Sequence, residues 1–195
     1  MSRLRVIAGI ARGRKLRTVP GESTRPISDR VKESLFNILS QDVLASRWLD
    51  LFAGTGSVGI EALSRGANYA RFIDRHKIAC ETIKHNLELT GFTNLAKIEL
   101  RDSFSTLAHQ PDDVFDYVYI APPQYEGLWQ RALLALDQKP DWLVDDAWVI
   151  VQIDPKEYHQ VQLQHLSEFD QRRYGNTLLV FYERRIIESN DANDR

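Results

Sequence analysis

Residues 50–59 read Asp-Leu-Phe-Ala-Gly-Thr-Gly-Ser-Val-Gly, and they constrain the fold more than any other stretch. Gly54, Gly56 and Gly59 form a G-x-G-x-x-G run between a short apolar segment, Trp48–Phe52, and a helical one, Ile60–Arg65. Such spacing serves a tight strand-to-helix turn whose backbone can approach a ligand. Asp74 follows Gly54 by 20 residues, at the end of the next apolar run, Tyr69–Asp74, where a carboxylate would meet ribose hydroxyls. The body continues the alternation. Helices are predicted over Lys77–Thr90 and Leu128–Leu136, and strands over Ala96–Leu100, Val114–Ile120 and Ala147–Ile153. Strands that alternate with helices pair in parallel, so a doubly wound α/β sheet is expected. The end differs: Phe169–Tyr174 and Thr177–Glu183 flank Gly175-Asn176, a two-residue hairpin turn, so the last pair is antiparallel. Residues 156–168 read as a short helix or a loop. At the other end, Leu4–Ala8 and Lys15–Val19 suggest a small N-terminal hairpin, followed by a helix capped by Ser28 and running through Leu39.

The glycines alone would equally suit a nicotinamide-binding domain. Asp50 discriminates. It ends the first sheet strand and points into the crevice where open sheets bind ligands. A pyrophosphate would be repelled there, whereas S-adenosylmethionine carries an ammonium and a sulfonium and no phosphate. The plainer alternative is that Asp50 only caps the glycine turn. After the third strand, Asp102 can accept a hydrogen bond from an adenine amino group and Phe104 can lie against the ring. Taken alone, an ordinary N-capping Asp and a core Phe explain that pair as well.

The chain has 195 residues, 43% of them apolar, enough for one core and one domain. No apolar run approaches the ~18 residues that span a bilayer, and Met1–Arg5 lacks a signal-like stretch, so a cytoplasmic location without membrane contact is expected. Cys80 is the single cysteine and is expected to pack inside a helix. The five histidines show no metal-ligand spacing, so no metal is expected. The four tryptophans read as core residues. The net charge of −2 hides an asymmetry: residues 1–32 hold nine basic and two acidic residues, a segment of +7 on an acidic body. That arrangement suits a polyanion held at one edge, although a merely solvated basic surface explains the charge equally well.

Three stretches resemble the RsmD family, bacterial methyltransferases acting on guanine N2 in 16S ribosomal RNA. They are Val6–Gly9 with Arg12–Leu16, the block Arg25-Pro26-Ile27-Ser28-Asp29-Arg30-Val31-Lys32-Glu33-Ser34-Leu35-Phe36-Asn37, and Asp50–Gly59 continued through Ala67. The resemblance spans about Arg5 to Glu183. It implies a Rossmann-like, seven-strand class I methyltransferase sheet ending in the antiparallel hairpin, S-adenosylmethionine as cofactor, and 16S RNA or an assembling small subunit as partner. The candidate cofactor residues are Asp50, Phe52, Gly54, Gly56, Asp74, Arg75, Asp102, Ser103 and Phe104. The basic segment is then expected to face RNA through Arg12, Arg14, Lys15, Arg25 and Arg30, which position phosphates without choosing a base. Residues 1–40 form the expected RNA-facing extension, 41–185 the catalytic domain and 186–195 a disordered tail.

One motif departs from the family. Its fourth strand usually ends in Asp/Asn-Pro-Pro-Tyr/Phe, which accepts hydrogen bonds from the target amine and stacks on a flipped base. Here Ala121-Pro122-Pro123-Gln124 stands in that place, and Tyr125 follows one position late. Pro122, Pro123, Gln124 and Tyr125 are the candidate catalytic residues. Three outcomes are open: retained catalysis relying on alignment and exclusion of water, a shifted base specificity, or a protein that binds cofactor or RNA without turnover. An NAD-binding oxidoreductase is the remote alternative.

Overall fold

The computed structural model describes residues 4–20 and 27–185. Arg25 and the expected tail at 186–195 lie outside them. Seven strands form one sheet: β1 (Arg47–Asp50), β2 (Tyr69–Asp74), β3 (Ala96–Leu100), β4 (Phe115–Ile120), β5 (Leu143–Ile153), β6 (Leu166–Tyr174) and β7 (Thr177–Arg184). Their order is β3-β2-β1-β4-β5-β7-β6. The first five pair in parallel, and β7 enters antiparallel between β5 and β6. The doubly wound sheet and its terminal hairpin are as expected.

Helices cover both faces, as a parallel sheet buried on both sides requires. One face packs α1 (Asp29–Leu39), α2 (Ser57–Ser64) and α3 (Lys77–Thr90) through Leu35, Phe36, Leu39, Ile60, Leu63, Ile83 and Leu87. The other packs α4 (Ser103–Ala108) and α5 (Leu128–Asp137) through Leu107, Trp129, Ala132, Leu133 and Leu136. Trp48, Trp129 and Trp142 are fully buried, while Trp148 is partly buried against Phe169 and Phe181. Cys80 is a free, half-buried thiol whose pKa is raised by burial and by Asp74.

Several boundaries move for local reasons. β1 stops at Asp50, because Leu51 and Phe52 already belong to the turn. α2 begins at Ser57, directly after Gly56 in a left-handed conformation (φ 72°). α4 was not legible as an element; it is six residues long and capped by Asp102. Residues 155–157 form a single 3-10 turn, with β6 beginning at Leu166. The arms of the N-terminal hairpin meet at one antiparallel bridge, Arg5 with Lys15.

That N-terminal segment is sewn to the body by side chains the sequence did not single out. Glu61 of α2 accepts the N–H groups of Ile7 (2.7 Å) and Ala8 (2.9 Å) and pairs with Arg65 (2.9 Å) and Lys32 (3.6 Å). Lys32 is buried and donates to the Arg5 carbonyl, and burial lowers its pKa although Glu61 opposes this. Ser64 donates to the Ala8 carbonyl and accepts from Ala11. A side chain at Gly9 would collide with the Ser64 carbonyl. Asn86 of α3 bonds both backbone groups of Arg17 and the Thr55 carbonyl.

Candidate active site

The strand order reverses between β1 and β4, which is where open α/β sheets place their ligands. A crevice opens there, lined by Leu51, Phe52, Gly54, Asp74, Arg75, His76, Asp102, Ser103, Phe104, Ala121, Pro123 and Leu128. Seven of the nine candidate cofactor residues are in the lining. Leu51 and Ala121, which lie in the two motifs, also belong to it, as do His76 and Leu128, which no sequence pattern marked.

Asp74 builds one wall. Its carboxylate accepts the Gly54 N–H (2.9 Å) and the His76 N–H (2.8 Å), fixing the glycine turn against the end of β2. Gly54 has φ 52° and nothing within reach of an added Cβ, so the turn stays open toward the crevice. Gly56 is different. It lies outside the lining, and a side chain there would press on Ile83 and Phe72 at 3.2–3.3 Å. Expected beside the cofactor, it instead allows the turn to pack on α3 and β2.

Asp50 stands behind the turn, 3% exposed and outside the lining, at the carboxyl end of β1. Its Oδ1 has no hydrogen-bond partner among the described residues. Desolvation, then repulsion from Asp74, push its pKa up to about 8, opposed by the Phe52 N–H. A buried carboxylate left short of partners is costly unless a cation or a proton arrives. The donor set therefore fits a cationic ligand and disfavours a pyrophosphate.

The opposite wall is aromatic. Phe52 and Phe104 meet edge to face at 6.2 Å, and the Arg131 guanidinium lies 4.2 Å from the Phe104 ring. Asp102 accepts the Ser105 N–H at 2.9 Å, so it caps α4 and lines the crevice at once. The Ser103 hydroxyl donates to the Leu51 carbonyl, and Arg75 bonds the His76 ring at 3.1 Å.

The four candidate catalytic residues do not share one environment. Pro123 lines the crevice with Ala121; Pro122 is buried; Gln124 and Tyr125 are exposed and outside the lining. Tyr125 adopts φ 63°. Its N–H donates to Glu157 at 2.6 Å, and the negative charge of Asp154 raises the phenol's pKa.

Arg12, Arg14, Lys15 and Arg30 are exposed. The segment bearing the first three runs along α2: Ile10 bonds the Ser64 carbonyl at that helix's far end, and Arg17 reaches the glycine turn through Asn86. Among the described residues no helix is long and apolar enough to cross a membrane.

The family model described as conserved hypothetical protein 95 matches residues 4–183. YlbH of Bacillus subtilis is 36% identical over 184 residues, 93% of this chain and all of its own. Ribosomal RNA small subunit methyltransferase D of Haemophilus influenzae is 37% identical over 153 residues, 77% of this chain and 79% of its own. The solved structure of Escherichia coli yhhF superposes with a TM-score of 0.83 at 31% identity, covering 93% of this chain and 98% of that one.

Proposed function

The chain belongs to the family of ribosomal RNA small subunit methyltransferase D, and from that premise we propose that it methylates the exocyclic N2 amine of a guanine in 16S RNA. The observation that carries the reading is Asp50, a buried carboxylate with an unpartnered oxygen behind an aromatic-walled crevice at the switch point of the sheet. When bound, S-adenosylmethionine supplies an electrophilic methyl group on a sulfonium centre. Asp74, and Asp50 once ionised, supply the negative field that favours a cationic ligand. Phe52 and Phe104 bury its apolar parts, and Asp102 offers a carboxylate to an amino group.

The chain's remaining task is to align an amine lone pair and exclude water, which needs neither metal nor a covalent enzyme intermediate. Pro122, Pro123, Gln124 and Tyr125 border the place where a flipped base enters. The Pro122 carbonyl and the Gln124 side chain offer acceptors for the amine's protons, and the Tyr125 ring offers a stacking face. Arg12, Arg14, Lys15, Arg25 and Arg30 hold phosphates, and an RNA within an assembling small subunit is the partner this reading favours.

Ala121 favours a second reading. A methyl group stands where the family places a carboxylate or amide, and on this reading turnover is replaced by binding or moved to another base. Two measurements decide. Calorimetry with S-adenosylhomocysteine and with NADH should show binding of the first alone; binding of NADH alone would restore the oxidoreductase. Labelled methyl donor with under-methylated small subunits should transfer label to small-subunit RNA. Cofactor binding without transfer would favour the binding protein.

A further inference from the structure

The loop after β4 holds its aromatic residue in an unusual way. Tyr125 has φ 63°, a region that non-glycine residues seldom occupy and that surrounding structure must enforce. A carboxylate from the loop after β5 enforces it here. Glu157 Oε1 accepts the Tyr125 N–H at 2.6 Å. Asp154 accepts the Lys156 N–H at 2.9 Å, capping the 3-10 turn Pro155–Glu157 that presents Glu157. The arrangement is unfavourable a second time, because Glu157 Oε2 is buried with no partner among the described residues. The ring itself is 65% exposed. Stability alone gives no reason to hold an uncovered ring in a disfavoured conformation with a half-satisfied acid.

We propose that Glu157 is a positioning residue that holds Tyr125 as the stacking platform for the flipped guanine. This rests on the methyltransferase reading above. Backbone already held in place at Tyr125 spares the reorganisation that a free loop would undergo when the base arrives.

The test compares wild type with Glu157→Ala, Glu157→Gln, Tyr125→Ala and the double variant Glu157→Ala/Tyr125→Ala. Glu157→Ala lowers kcat on under-methylated small subunits by on the order of tenfold and leaves S-adenosylhomocysteine affinity unchanged. Glu157→Gln, whose amide oxygen can still accept the Tyr125 N–H, recovers most of that loss. In the Tyr125→Ala background, Glu157→Ala costs nothing more. A wild-type rate in Glu157→Ala, or losses that add in the double variant, overturns the clamp. With 3-fluorotyrosine at position 125, the ring gives one narrow fluorine resonance in wild type and a broadened one in Glu157→Ala; equal line shapes overturn the clamp as well. A wild type that transfers no methyl group overturns the underlying reading, whereas an active wild type with additive losses overturns the clamp alone.

Discussion

At the scale of single residues, Asp50 ties the site's electrostatics to pH. Its carboxyl pKa is raised to about 8, so the folded protein holds this proton more tightly than the unfolded chain does. Its contribution to stability is therefore full below about pH 4 and lost as pH rises through about 8. Ligand binding runs the other way. A cation needs the ionised form, so affinity for S-adenosylmethionine, whose sulfonium charge S-adenosylhomocysteine lacks, should strengthen by up to about tenfold per pH unit between pH ~6 and ~8. Asp50→Asn should bind weakly with no such slope. Calorimetry across that range checks both, and a flat wild-type profile would show that Asp50 does not receive the cation. Ala121 gives a prediction of gain. Restoring the acceptor with Ala121→Asp should raise kcat about tenfold, since one such hydrogen bond is worth roughly 1–3 kcal/mol. An unchanged or lower rate in a folded variant would show that the acceptor is supplied elsewhere.

At the scale of elements, periodicity made β2, α3 and β3 legible to the residue, because Gly91 stops α3 and the apolar runs end at clear punctuation. The glycine turn was legible too, with Asp74 at the right distance to lock it. What stayed hidden depends on contacts between segments far apart in the chain. Nothing in the sequence marks Glu61 as internal, yet it is fully buried and receives two backbone N–H groups from residues more than fifty positions away. Glu157 carried no signal at all, since its role exists only where the loops after β4 and β5 meet. Gly56 was read as a cofactor residue because a motif records backbone freedom without saying whether a ligand or a side chain needs the space. The tether makes its own prediction. Glu61→Ala leaves the buried Lys32 without its counter-charge and two part-buried backbone donors without their acceptor, and should cost about 3–5 kcal/mol in urea unfolding. Trypsin should then cut at Arg12, Arg14 or Lys15 faster than in wild type. Unchanged stability and unchanged cleavage would mean that the segment is held by its apolar contacts alone.

At the scale of the molecule, the basic segment is rigidly tied along α2 from the helix's far end to the glycine turn, and Arg12, Arg14 and Lys15 are exposed along it. If they carry phosphates, removing all three should flatten the log–log salt dependence of RNA binding by about two, at ~0.7 per phosphate on a single strand. An unaltered slope would assign the RNA to another surface. The same frame puts the acidic, aromatic crevice at the end of the sheet where a base could meet a cationic donor, and this juxtaposition is the centre of the account. Mass spectrometry of nucleosides from small-subunit RNA, taken from cells with and without this protein, tests it most directly. The account predicts that N2-methylguanosine falls by one residue per subunit when the protein is absent and returns with wild type but not with Asp50→Asn. An identical nucleoside profile in both cells, or a loss confined to another base, would contradict it.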